Sequence, residues 1–240
     1  MSAGAGRRPA SVVGVVVPVH DEEDLLPAAL EGVEEAVDAL LPPTSCRVAV
    51  VLDDCRDGSL AVAQAWAGRV GALVVERECR SVGSARRAGT QALLSLWPDV
   101  HPAQIWMATT DADSRVPPDW LTVQLEAYGS GSDLWTGRVS VAEESAVVQR
   151  WKDTYGAERQ PIHGASMGFS ALLYEHIGGF RHLRSGEDRD FHRRAVAAAF
   201  RVTYDLRAAV ATSARRKGRA PGGFAGVLVD FEEEQLEASA

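Results

Sequence analysis

The chain has 240 residues, 46% hydrophobic and 24% charged, which supplies enough apolar material for one large domain. Its formal net charge of −8 argues against a nucleic-acid-binding surface, and no apolar run reaches the length of a membrane span. No apolar stretch of signal type precedes "VVGVVVPV", so a cytoplasmic protein is expected, and Cys46, Cys55 and Cys79, odd in number and without metal-type spacing, read as reduced thiols. Residues 1–11, "MSAGAGRRPAS", are small, polar and basic and read as a mobile segment. "SVVGVVVPV" is a β-branched run ended by proline and predicts a strand buried on both faces. After "HDEED", the spacing of Leu26, Leu30, Val33, Val37 and Leu40 predicts a helix that Pro42 and Pro43 close. "RVAVVLDD" predicts a second strand ending in two acids, "GSLAVAQAWAG" a second helix, "GALVVE" a third strand and "SVGSARRAGTQALLSLW" a third helix. "AQIWMATT" predicts a fourth strand with Asp111 at its C-terminal edge, and "PPDWLTVQLEAY" a fourth helix opening on proline. Further on, "LWTGRVSV" reads as a strand, "EESAVVQRWKDTYGAER" as a helix and "GEDRDFHRRAVAAAF" as a turn and helix. "RVTYDL" and "AVATSARR" read as two short strands, and "DFEEEQLEASA" closes an acidic tail.

The alternation of strand and helix implies a mostly parallel α/β sheet covered by helices. His20–Glu22, Asp53–Asp54 and Asp111–Asp113 all fall just after strands, at the edge where open α/β sheets bind ligands. In "TTDADSRV", Asp111 and Asp113 stand one residue apart, and two carboxylates that close need a metal ion, an arginine or a wet loop to screen them. The plain reading is a loop before a helix that Asp119 caps.

"VVVPVHDEEDLLPAAL", "VLDDCRDGS", "VGSARRAG", "TTDADSRVPPDWL", "IGGF" and "GEDRDF" follow one another in the order found in family 2 glycosyltransferases. Over residues 12–215 the chain resembles that family, which has the GT-A fold. The resemblance implies one domain over 12–220, with a nucleotide-binding half at about 12–115 and a smaller, mixed acceptor-side half at about 116–220. Segments 1–11 and 221–240 flank it. It implies a nucleoside-diphosphate sugar as donor, Mn2+ or Mg2+ as cofactor, and a hydroxyl-bearing acceptor, small-molecule or lipid-linked. No nucleic acid partner and no transmembrane segment are expected. Hard carboxylate oxygens suit such a cation, which neutralises charge on a leaving diphosphate.

By the same resemblance Asp113 is the metal ligand, and Asp111 contacts ribose or metal-bound water, with Ala112 between them in the nucleotide site. Pro18, His20 and Glu22 would line base and ribose. One of Asp53 and Asp54, with Asp54 preferred, would accept a hydrogen bond from the base, although Cys55 and Arg56 replace the family's usual small residue and serine. The simpler alternative pairs one of these acids with Arg56. Gly83 and Arg86 would lie near the diphosphate. Asp188 would take the acceptor's proton, with Glu187 positioning acceptor or loop; both also suit a helix start. Gly164 would allow close approach of a ligand, and His163 would touch sugar or metal. Arg215, Arg216, Lys217 and Arg219 resemble a mobile basic lid over the diphosphate.

A single base implies inversion at the anomeric carbon, although related families of this fold retain configuration. A nucleotidyltransferase would want a glycine-rich basic loop where "PVHDEED" stands, and a glycoside hydrolase would want two opposed carboxylates. A nucleotide-sugar-binding protein without transfer activity is the alternative from another class.

Overall fold

The computed structural model describes residues 10–141, 160–183 and 185–213. The helix expected at 143–159, the basic segment with Arg215, Arg216, Lys217 and Arg219, and most of both terminal segments lie outside the described residues. Eight strands form a single sheet in the order β3-β2-β1-β4-β7-β6-β8-β5. β1 (Val12–Val19) is buried at every position and pairs in parallel with β2 (Ser45–Asp53) and β4 (Ile105–Thr109); β3 (Leu73–Arg77) joins β2 in parallel. β7 (Met167–Ser170) pairs antiparallel with β4 and with β6 (Leu134–Val141). β8 (Val202–Thr212) runs parallel to β6 and antiparallel to the two-residue β5 (Ser114–Arg115).

The two faces of the sheet bury separate cores. Val13, Val15, Val17 and Val19 point to one, and Val12 and Val16 to the other, as a strand's period of two requires. α1 (Leu26–Asp38), α2 (Ser59–Val70) and α4 (Trp120–Gly129) cover the first face. α3 (Val82–Leu94), α5 (Ala171–His176) and α6 (Glu187–Ala197) cover the second. Ser81 caps α3 by accepting the Ser84 N–H at 3.3 Å, and Ser170 caps α5 by accepting the Leu173 N–H at 3.1 Å. Gly186, at φ 73°, gives α6 a left-handed start.

Two local expectations are corrected. "RVTYDL" and "AVATSARR" belong to one eleven-residue strand, β8, broken by a register shift opposite Gly137 and Val139. The fourth helix starts at Trp120, so Pro117 and Pro118 precede it, and Asp119 stands at its N-cap without a side-chain capping bond.

The parallel register brings the polar clusters together. Val19 lies beside Leu52 and Val16 beside Thr109, so the loops after β1, β2 and β4 leave one edge of the sheet.

Candidate active site

The loops after β1 and β2 are tied to each other. His20 Nδ1 lies 2.6 Å from the Asp53 carbonyl. The Glu22 N–H donates to Ser59 Oγ at 2.8 Å, and the Arg56 N–H to Asp21 at 2.6 Å. Glu22 is buried, as is Pro18 within β1. Asp53 and Asp54 separate into two roles. Buried Asp53 accepts the backbone N–H groups of Cys79, Arg80 and Ser81 at 2.6, 2.8 and 2.9 Å, fixing the loop from β3 into α3. Asp54, at φ 53°, is half-buried with its Oδ2 beside Arg80 at 2.8 Å and Arg56 at 3.6 Å.

Arg86 is the centre of the arrangement. It sits on the fifth residue of α3, 2% exposed. Its Nε donates to Thr109 Oγ1 at 3.1 Å, one terminal nitrogen donates to Asp111 at 2.5 Å, and the other forms a short ion pair with Glu187. Position 86 therefore lies within the helix body, turned to the sheet, while Arg87 beside it is exposed and donates to the carbonyls of Gly178 and Phe180. Burial alone would lower the Arg86 pKa, but the charges of Asp111, Glu187 and Asp188 outweigh it and hold the guanidinium ionised. Burial pushes the Glu187 carboxyl up, and Asp188 and Asp111 add to the rise against the opposing pull of Arg86. One cation thus faces three carboxylates.

Asp188 is half-buried in the first turn of α6. Its Oδ2 accepts the Gly164 N–H at 3.0 Å and its Oδ1 the Arg189 N–H at 2.7 Å, so its carboxylate has a fixed position. Gly164 opens a short 3-10 turn that His163 precedes, and a Cβ there would collide with the Arg86 guanidinium. A Cβ on Gly83 would collide with the Arg181 carbonyl and crowd Glu187. Both glycines therefore have a packing reason in this structure: they let backbone lie against the buried pair.

Asp113 lies where β5 meets the end of β8. Its carbonyl accepts the Ser213 N–H at 3.2 Å, and Ser114 bridges Asp113 Oδ1 at 3.3 Å and Thr212 Oγ1 at 2.9 Å. Asp111 is 36% exposed at the side chain, and Ala112 between them is buried. Thr109 was missed in the sequence; the threonine pair in "ATTDAD", where a strand ends in acids, was the available signal. Thr110 beside it buries a hydroxyl that finds no partner among the described residues.

Asp111 and Asp113 offer hard carboxylate oxygens of the kind a divalent cation takes, with one Asp111 oxygen already accepting from Arg86. Among the described residues the cluster of three close ligand-capable side chains lies elsewhere, at Asp21, Cys55 and Asp57. There the acids already accept backbone N–H groups of Arg56, Glu23 and Ser59.

The sequence model described as Glycosyl transferase family 2 matches residues 14–205. Undecaprenyl-phosphate 4-deoxy-4-formamido-L-arabinose transferase of Pseudomonas aeruginosa is 29% identical over 143 residues, which cover 60% of this chain and 40% of that protein. The chain thus spans well under half the length of the curated relatives it matches. S. aureus TarS 1-349, solved in complex with UDP-GlcNAc, superimposes with a TM-score of 0.64 at 17% identity, over 86% of this chain and 59% of that one. The mannosyltransferase PcManGT of Pyrobaculum calidifontis, solved with GDP-Man and Mn2+, gives 0.61 at 21% identity, over 94% and 69%. At those identities the likeness establishes the fold. No helix among the described residues is long and apolar enough to cross a membrane.

Proposed function

This chain belongs to glycosyl transferase family 2, and we propose that it moves a sugar from a nucleoside diphosphate to an acceptor hydroxyl with inversion at the anomeric carbon. The observation that carries the reading is the Arg86 tie, which holds Asp111 of D-x-D and Glu187, next to Asp188, on one guanidinium. A donor-side group and the base are thereby kept in register. Solved neighbours bound to UDP-GlcNAc and to GDP-Man with Mn2+ support this choice of donor and cation. The free cysteines, with Cys46 pushed up to about 12 by burial, suit a reducing cytoplasm.

Asp113 and Asp111 would hold Mn2+ or Mg2+, which supplies charge neutralisation to the departing diphosphate. His20, Glu22, Asp54 and Ala112 would shape the nucleotide side, with Pro18, Asp53, Gly83 and Arg86 fixing the loops and helix around it. Asp188 would accept the proton of the acceptor hydroxyl as its oxygen bonds to the anomeric carbon and the bond to the diphosphate breaks. The Gly164 and Arg189 N–H groups fix the Asp188 carboxylate, Glu187 would position the acceptor or the loop, and His163 would lie on the acceptor side. Arg215, Arg216 and Arg219, outside the described residues, would supply positive charge to the diphosphate. The similarity to an undecaprenyl-phosphate transferase supports a lipid-linked acceptor.

The test is Asp188→Asn with nucleotide sugar, Mn2+ and candidate acceptors. Asn keeps the shape and the bond from Gly164. Transfer should fall by about 10²–10⁴, the range for loss of a positioned general base, while donor affinity holds. An unchanged rate would remove Asp188 as base; it is also the outcome for a phosphate acceptor, whose oxygen is already ionised.

A further inference from the structure

The two helical layers differ in the charge they show to solvent. Over the first layer, Glu31, Glu35 and Asp38 of α1 and Glu126 of α4 are exposed, with Arg115 beside Glu31 and Glu35 and Arg207 beside Glu126. Over the second, α3 contains no acid, and α6 buries Glu187 and Asp190 while Asp188 is half-buried. Glu187 is buried against Arg86, and Asp190 is buried within reach of Arg181, Arg193 and Arg194 at 3.4, 2.7 and 2.8 Å. Arg87, Arg181, Arg189 and Arg193 are exposed there, with Glu175 the exposed acid of these three helices. These cations form one patch. Arg87 bonds the carbonyls of Gly178 and Phe180, Arg194 the carbonyl of Ile177, and Ser84 bonds His182, so α3, the 177–182 loop and α6 adjoin. Arg189, Arg193 and Val196 recur at helical spacing on one outward face, and Val196 is 51% exposed. The first turn of this same helix carries Asp188.

We propose that this arginine face docks on an anionic membrane surface and presents the crevice to an acceptor carried in the lipid. An anionic leaflet attracts basic residues within a Debye length. A chain of net charge −8 gains from that attraction only where its surface has a local excess of cations. On this face Arg87, Arg181, Arg189 and Arg193 outnumber the exposed Glu175, whereas Arg69, Arg115 and Arg207 of the opposite layer are paired with Glu34, with Glu31 and Glu35, and with Glu126 and Asp205, so the local field turns this face toward the lipid. Arginine's planar fork also matches phosphodiester oxygens. The purpose assigned to this docking rests on the transferase reading; the docking itself needs neither donor nor cation.

The full chain is sedimented, without nucleotide or metal, with vesicles of phosphatidylcholine alone and of phosphatidylcholine mixed with phosphatidylglycerol. Binding is expected to the mixed vesicles only, weakening as salt rises. It should fall on the order of tenfold in Arg189→Gln/Arg193→Gln, the loss of two basic contacts. Circular dichroism reports whether that variant folds, and Arg189→Gln alone carries the test if it does not. Glu31→Gln/Glu35→Gln, across the sheet, should bind no more weakly than the parent. Equal binding to both vesicle types, no binding at low salt, or undiminished binding by a folded arginine variant overturns the proposal. So does displacement from the vesicles by an equal phosphate concentration of soluble polyphosphate, which would assign the face to a soluble polyanion. Vesicle binding without sugar transfer would leave the docking surface standing and defeat the transferase reading; transfer without vesicle binding would do the reverse.

Discussion

Arg86 compensates carboxylates from two distant parts of the chain, and its removal has a calculable cost. Arg86→Met would leave Glu187 buried without a cation, a loss of about 3–5 kcal/mol for breaking a buried pair from one side. Denaturant unfolding should show that loss. Arg86→Lys keeps the charge but not the fork that reaches Thr109, Asp111 and Glu187 together, and should recover only part of it. Glu187 makes a second, pH-dependent prediction. Burial raises its folded pKa above its ordinary value of 4.5. The protonated form therefore contributes stability that is complete below 4.5 and lost as pH rises through the folded value. Glu187→Gln cannot lose it. The melting temperature of this variant, relative to the parent, should climb as pH rises from about 4.5 and then level off. A difference that stays flat across that range would contradict the assigned direction.

At the level of helices, two glycines make opposite predictions. Gly83 lets the start of α3 meet the Arg181 backbone and Glu187 at the start of α6. Gly83→Ala should destabilise by about 1–3 kcal/mol, the usual cost of overpacking, and should depress activity by shifting Glu187 and Asp188. Gly68 lies inside α2 with nothing near a Cβ, and Gly68→Ala should stabilise by roughly 0.4–1 kcal/mol. Paired melting curves would check both. The elements themselves differ in how plainly the sequence announces them. β1, residues 48–52 of β2, and β4 up to Ala108 are unbroken runs of small or apolar residues because both their faces are covered there. β8 reads as two strands because Gly137 pairs with Asp205 while Val139 pairs with Val210, so residues 206–209 of one strand stand against Arg138 alone on the other. Asp205 fills the irregularity with Arg207 at 2.8 Å, and a polar interruption in a short apolar run looks like a turn. The site shows the same division. Acids at three strand ends are legible as a site, since one polar strand end is ordinary and three on the same edge of a sheet are not. Which of Arg86 and Arg87 turns inward is not legible: both follow the same cap, and only Thr109, Asp111 and Glu187 distinguish them.

For the whole molecule, ligand binding should register as stability. A nucleoside diphosphate present at a hundred times its Kd stabilises by about 2.7 kcal/mol, and for a chain of this size each kcal/mol moves the melting temperature by about 2–4 °C. UDP, GDP or TDP with Mn2+ should therefore raise it by several degrees. Asp113→Ala should keep whatever shift nucleotide gives in chelator and lose the increment due to metal. Identical shifts with Mn2+ and with chelator in the parent would remove the cation from the proposed chemistry.

The tie at Arg86 also bears on how such an enzyme can change over time. Residues 86 and 111 precede, and 187 follows, the division proposed at about residue 115, and β4 is bonded directly to β7 across it. The first half lifted out alone would expose one edge of β4 and strand a cation that meets Glu187. The two halves are therefore poor units of exchange. A recombinant that joined this chain's first half to a relative's second half would need a carboxylate at the α6 start and a glycine at 164, or it would fold badly before its choice of acceptor could be tried. New acceptor preferences should accumulate in the walls around Asp188, by single substitutions, with the start of α6 held constant.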